Sequence, residues 1–198
     1  MPVSYGMEYV TGNFHTTRPE RRINAKYAYY FLQRYVGGWT LEAIAAMCGN
    51  WESESGINPG IWENLDYGNL SHGYGLVQWT PATKLIDWAA LEHLDPEDMA
   101  TNLLRIEYEL QNGLQWESSY LYPMTFNEFK HSHERPFRLA GAFCINYENA
   151  TSPDLHERGT QANNWYRYLL SLPKPIHERN KFWMYYAPRY VMKNRKEM

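Results

Sequence analysis

Three short segments hold the side chains whose types and spacing could do chemistry. In residues 49–60 (GNWESESGINPG), Glu54 lies three residues after Trp51 and seven after Met47, so it continues the apolar face of a helix at its C-terminal end. A glutamic acid desolvated against apolar side chains, beside the negative end of a helix dipole, has its pKa moved from about 4.3 toward ~6. That is the range a general acid needs near neutral pH. Spacing alone leaves Glu54 two readings, a general acid or an ion-paired structural acid. Glu52 falls about 200° around the same helix and reads as surface charge. In residues 74–81 (YGLVQWTP), Gly75 permits close approach of a ligand or a second backbone, and the Gln78 amide can hold a hydroxyl or an N-acetyl group. In residues 143–150 (FCINYENA), a helix ends at Asn146 beside the Tyr147 hydroxyl, a pattern that also suits a helix cap with a core tyrosine.

Other chemistries find less support. His131, Ser132, His133 and Glu134 are compact but lack the i, i+4 histidine pair of a zinc-binding helix. Cys144 sits inside an apolar helical face, whereas a nucleophilic thiolate needs a helix N-terminus beside a histidine. No metal or cofactor is expected.

The elements that must position these groups are mostly helical. Ile23, Tyr27, Tyr30 and Phe31 recur at helical spacing up to Gly37 and Gly38, and residues 1–22 before them read as an irregular arm. Thr40 can cap a second helix whose apolar face runs Ile44, Met47, Cys48 and Trp51, with Ala43, Ala45, Ala46 and Gly49 thin enough for close neighbours. Residues 56–79 have no 3.6-residue period and fit a long loop or a small irregular β-hairpin. Thr80 and Pro81 signal a third helix, and the Asp95 to Asp98 run signals a fourth that stops at Asn112 and Gly113. Thr125 caps a short helix, Pro136 opens another, and a last one carries Ala162, Trp165, Tyr166 and Leu169 before Pro173.

Composition bounds the rest. A chain of 198 residues is enough for one domain with a real core and too short for two ordinary ones. With 44% hydrophobic residues, 21% charged residues and no apolar run near ~20 residues, it reads as globular, without a membrane span. A formal charge of -3 gives no global attraction to nucleic acid, and no nucleic-acid partner is expected. Two cysteines, Cys48 and Cys144, are too few for a disulfide scaffold. The first residues show neither a basic nor an apolar leader pattern, so no secretory signal is expected. Aromatic residues are abundant at 16%, which suits a tight core and also a groove that stacks on sugars.

Taken together, Glu54-Ser55, Gly75-Leu76-Val77-Gln78 and Asn146-Tyr147 resemble the pattern of the goose-type lysozyme and lytic transglycosylase superfamily. More closely, Gly49-Asn50, Glu54-Ser55, residues 57–60 (INPG), residues 75–81 (GLVQWTP), Arg158-Gly159, Gln161-Ala162 and Trp165-Tyr166 look like the phage tail lysozyme family, over roughly residues 23–171. One departure stands out: where the family often has Tyr-Asn, this chain has Asn146 before Tyr147 and Glu148 after it.

The resemblance implies an α+β, predominantly α, lysozyme-like fold, with a small β-hairpin beside the active-site helix. It implies muramidase cleavage of the β-1,4 bond between N-acetylmuramic acid and N-acetylglucosamine in peptidoglycan. Glu54 would be the general acid. Ser55, Tyr74, Gly75, Gln78, Trp79, Asn146 and Tyr147 would bind substrate. A base that activates water is expected in the loop after Glu54, where Asp66 is preferred over Glu63. Lytic transglycosylation and a non-catalytic tail plug with a degenerate lysozyme fold are the alternatives. Glycan strands and other tail proteins are the expected partners, with delivery in the virion. The domain is expected to span residues 23–172, followed by a basic extension over 173–198 that carries Lys174, Arg179, Lys181, Arg189, Lys193, Arg195 and Lys196.

Overall fold

A computed structural model describes residues 7–150 and 153–175; the basic extension from residue 176 onward lies outside the described residues. Seven α-helices follow one another in this part of the chain: α1 (Arg18–Phe31), α2 (Leu41–Glu54), α3 (Thr83–Leu91), α4 (Met99–Gln111), α5 (Phe126–His131), α6 (Pro136–Asn146) and α7 (Leu155–Leu170). Every residue from 43 to 51 is buried, so α2 runs through the middle of the molecule with neighbours on several sides. Its start is set by Thr40, whose hydroxyl accepts the Ala43 N–H at 3.2 Å. Small side chains then let two partners approach. A Cβ added to Gly49 would stand 2.6 Å from the Arg158 carbonyl oxygen and 2.7 Å from the Ala162 nitrogen, so α2 and α7 touch backbone to backbone. On another side the fully buried Asn50 donates to the Ala140 carbonyl of α6 at 3.0 Å and to Ala46 of its own helix at 2.9 Å.

The other helices begin and end for local reasons. α1 starts at Arg18, inside the stretch read as an irregular arm, because the Glu20 carboxylate accepts the Thr17 N–H and hydroxyl, both at 2.7 Å, and Pro19 suits the first turn. The residues ahead of it are hydrogen-bonded inward: buried Asn24 binds the N–H and carbonyl of Val10, and Asn58 donates to the carbonyls of Gly12 and Phe14. A π-helical turn over Leu32–Val36 extends α1 until Gly37, at φ 79°, turns the chain away. Thr80 does not cap α3. Its hydroxyl goes to the Gln78 carbonyl at 3.0 Å, and the helix starts two turn residues later, with Ala82 in the cap position. Asp98 caps α4 through the Ala100 N–H at 2.8 Å, Thr125 and Glu128 close a capping box on α5, and Pro136 opens α6.

The expected β-hairpin is not formed as strands. Among the described residues Tyr74 makes isolated antiparallel bridges to Trp62 and to Trp79. The Tyr74 and Trp79 pairing cannot lengthen into a ladder. Gly75 gives its N–H to Ile61, Gln78 gives its own back to Gly75, and Pro81 has no N–H to offer. The predominantly helical build agrees with the lysozyme-like fold that the resemblance implies, without the sheet.

The crossing at Gly49 has a measurable consequence. Helix propensity alone would favour alanine there by about 1 kcal/mol. Overpacking against two backbone atoms that cannot swing aside opposes it and costs about 1–3 kcal/mol or more. Gly49→Val, with two further methyls, is expected to lower the melting temperature beyond Gly49→Ala, and both below wild type, in a thermal melt followed by circular dichroism.

Candidate active site

Glu54 is the last residue of α2, and its side chain is 26% exposed. The next residue, Ser55, is buried and donates its hydroxyl to the Leu76 carbonyl at 2.9 Å, with the Trp51 carbonyl at 3.1 Å alongside. This one side chain ties the end of α2 to the glycine loop, so Glu54 and the segment around Gln78 are held as one unit. The surroundings of Glu54 differ from the apolar wall expected from its helical phase. Its Oε1 accepts a hydrogen bond from Arg158 Nη2, a residue of α7. Glu52 differs too: it is partly buried, bound by Arg21 Nη1 at 3.0 Å and by the Trp165 indole at 2.9 Å, rather than a free surface charge.

Arg158 is shared. Its Nη1 donates to Glu148 Oε2 at 2.8 Å and to Asn50 Oδ1 at 3.1 Å, while Nη2 serves Glu54. One guanidinium therefore faces two carboxyls from two parts of the chain, and Asn50 fixes its plane from the middle of α2. The Glu148 side chain is only 5% exposed, and its Oε1 has no hydrogen-bond partner. Burial pushes its carboxyl up to about 8; the charge of Glu54 acts in the same direction, and Arg158 and the Cys144 side chain oppose it. Burial also pushes the Cys144 thiol up to about 12, where it is no nucleophile at neutral pH. Glu148 was not singled out from the sequence. The only signal was its place directly after the Asn146-Tyr147 pair, and nothing in the spacing joins it to Arg158.

The loop between residues 56 and 79 sets the other expected residues. Gln78, at φ 51°, turns its amide nitrogen toward the carbonyls of Gly75 at 2.9 Å and Ile61 at 3.2 Å. That pairing assigns the nitrogen end and leaves Oε1 as an acceptor on a partly exposed side chain. Gly75, at φ 81°, packs so closely that a Cβ would lie 2.6 Å from Asn102 Oδ1, the atom that accepts the Leu76 N–H. Tyr74 is buried against Trp62, with ring centroids 4.4 Å apart. Asp66 ends a short 3-10 turn (Glu63–Leu65). Its carboxylate is 54% exposed, accepts from Asn69 Nδ2 at 2.8 Å and lies 3.7 Å from His72 Nδ1. Glu63 accepts the Gly73 N–H at 2.8 Å and so closes the same loop.

Trp79, Asn146 and Tyr147 are also buried. The Trp79 indole donates to Glu109 Oε1 at 3.1 Å, and the Tyr147 hydroxyl donates to Glu109 Oε2. Arg105, one turn earlier on α4, completes this network with a 2.8 Å hydrogen bond to Oε1. Burial raises the Glu109 carboxyl, which these three donors oppose, and also raises the Tyr147 hydroxyl, with the Glu109 charge adding to it. Tyr147 stacks on Phe143 at 4.5 Å. Asn146 donates to the Tyr122 carbonyl at 2.8 Å and accepts the Ser119 N–H at 3.1 Å, which pins the 114–124 loop to the end of α6. Of the residues expected around substrate, Glu54, Asp66 and Gln78 are thus at least partly exposed, while Ser55, Tyr74, Trp79, Asn146 and Tyr147 hold their neighbours in place.

The sequence profile described as phage tail lysozyme matches residues 23–169. The chain belongs to the phage tail lysozyme family. It is similar to Morphogenesis protein 1 of Bacillus phage B103, with 46% identity over 158 residues that cover 79% of this chain and 42% of that protein. The chain therefore spans less than half the length of that relative. It is a tail-associated, lysozyme-like protein.

The sign of the Glu148 displacement fixes how stability depends on pH. A carboxyl whose folded-state pKa is raised binds more protons in the native than in the unfolded chain between the two values. Stability conferred at this site is therefore greatest below the ordinary glutamate range and falls as pH rises from there to about 8. Denaturant melts at several pH values are expected to show this decline in wild type and a flatter profile in Glu148→Gln.

Proposed function

We propose that this protein is a virion-associated muramidase, in which Glu54 protonates the glycosidic oxygen between N-acetylmuramic acid and N-acetylglucosamine. The observation that supports it most is the position of Glu54 in a chain of this family: a carboxyl on the end of a buried helix, part-exposed, and joined through Ser55 to the loop that carries Gln78. A part-exposed acid can reach a substrate oxygen and still be oriented by the fold, which is what general acid catalysis requires. Gln78 offers its Oε1 to an N–H or hydroxyl of the sugar. Asp66, on the exposed turn of the same loop, is the base that activates water on the opposite face of the ring; inverting glycosidases keep such carboxyls about 6.5–9.5 Å apart to admit that water. Peptidoglycan glycan strands are the substrate, other tail proteins the structural partners, and passage of phage DNA through the wall the purpose.

A second reading, lytic transglycosylation, is favoured by one observation: the Asp66 carboxylate is already engaged by Asn69, with His72 nearby, and looks more like a turn-forming acid than a free base. The muramyl 6-hydroxyl would then attack in place of water, and no base is needed on that face.

Glu54→Gln is expected to fold and to lose at least ~100-fold of wall-degrading activity in a zymogram and in a soluble-glycan assay, the scale of losing a general acid. A folded variant with activity within a few-fold of wild type would remove the acid assignment. Mass spectrometry of the digest separates the two reactions, because 1,6-anhydro ends are lighter by one water than hydrolysed ends. Hydrolysed ends, with Asp66→Asn slowed in turnover at unchanged glycan binding, are the expected result.

A further inference from the structure

A general acid paired to an arginine raises a chemical difficulty. An opposite charge within hydrogen-bond distance favours the ionised carboxylate, and an ionised Glu54 has no proton to give. The geometry around Arg158 supplies an answer. The guanidinium is forked between two carboxyls, Glu54 on Nη2 and Glu148 on Nη1 at 2.8 Å, and is held in plane by Asn50 Oδ1 at 3.1 Å. Two carboxylates and one cation leave one surplus negative charge in a nearly dry site, since the side chains of Glu148 and Arg158 are 5% and 11% exposed. A single proton bound by the pair neutralises that surplus, and the cation keeps one charged partner whichever carboxyl carries it.

We propose that Glu148 is a positioning residue for the reaction: it shares one proton with Glu54 across Arg158, so that Glu54 can act as an acid while the guanidinium keeps its counter-charge. The inference rests on the reading of Glu54 as the general acid. In the free protein the proton resides on Glu148, whose Oε1 is buried without a hydrogen-bond partner and is the costliest place in the cluster for a negative charge. Glu54 is the partly exposed member, with water to solvate its charge. A sugar that covers Glu54 strips that water away, and the balance then moves the proton to Glu54 while Glu148 takes up Arg158 alone. The shift is an exchange equilibrium and requires no direct contact between the two acids. The charged and titratable groups facing Glu148 are Glu54 from α2, Arg158 from α7 and Cys144 from α6, and burial keeps the thiol neutral. The nearby Glu52 is engaged by Arg21 and Trp165.

The test uses the full chain and two variants. Glu148→Gln retains an amide oxygen for Arg158 but no charge, so Glu54 becomes the sole counter-ion of the guanidinium. In the folded variant, the alkaline limb of kcat/KM on soluble glycan fragments is expected to move to lower pH by about one unit or more, the effect of an uncompensated neighbouring cation. At the acid end, activity is expected within a few-fold of wild type. An unmoved limb, or a uniform loss at every pH, would overturn the proposal and leave Glu148 a purely structural residue. A second readout needs no activity. Carbon-13 NMR of labelled glutamate carboxyls follows the Glu148 titration directly, and in Glu54→Gln its midpoint is expected to fall, because the neighbouring negative charge is gone. A midpoint unchanged from wild type would also overturn the proposal, even if Glu148→Gln fails to fold. If the midpoint falls but Glu54→Gln stays fully active, the proton-sharing pair stands as a physical feature, the role given to it here is overturned, and the general-acid reading has failed separately.

Discussion

The rest of the site depends on how closely α7 lies against α2. Gly49 has no side chain, and the backbone of α7 occupies the space where one would be. Only at that separation does the Arg158 guanidinium reach Asn50 within α2, Glu54 at its end, and Glu148 just beyond α6. Close packing of the backbones brings the Arg158 backbone beside α2, and the hydrogen bonds to Asn50, Glu54 and Glu148 then fix its flexible side chain.

Burying that cluster is expensive. Desolvation of charged groups often exceeds their mutual attraction, and an apolar replacement of similar volume would commonly be at least as stable. Elsewhere this chain buries charge with full compensation. Lys130 reaches Glu107 at 2.7 Å while the Trp39 indole takes the other carboxylate oxygen at 2.9 Å, and Glu109 is met by Arg105, Trp79 and Tyr147. The Arg158 cluster differs in having more acid than base and one carboxylate oxygen without a partner. An imbalance of that kind lowers stability, and it includes the part-exposed acid at the end of α2.

Aromatic side chains do most of their work inside the fold. Trp116 stacks on Phe126 at 4.9 Å, Phe143 stacks on Tyr147 at 4.5 Å, and Trp62 closes on Tyr74 at 4.4 Å. The loop after Glu54, with little regular structure of its own, is thereby given a shape by packing and by side-chain hydrogen bonds from Ser55, Asn102 and Glu63. Such a loop can present Gln78 and Asp66 without a sheet beneath them.

Much of the helical frame was legible in the sequence, because its signals are local. Thr40, Asp98, Thr125 and Pro136 mark helix starts through contacts within one turn, and Gly37 marks an end through its own φ. The burial of α2 on several sides followed from its alanines and Gly49. Where the local signal competed with another partner the reading missed, as at Thr80, whose hydroxyl serves the preceding loop, and at Arg18, where the Thr17 and Glu20 box opens a helix ahead of the first apolar repeat. The hairpin did not form as strands for the same reason, since Gly75 gives its N–H to Ile61, Leu76 gives its own to Asn102, and Gln78 turns back on Gly75. The place of Glu54 at the end of α2 could be read from the helical pattern, but its neighbours could not. The partners of Arg158 come from positions 50, 54 and 148, the first two 108 and 104 residues away and the third 10 residues away in a separate element, and such pairings leave no periodic trace. Sequence alone placed the acid at the end of its helix; only the packing of α7 on α2 decided that it would face a cation shared with a second, drier acid.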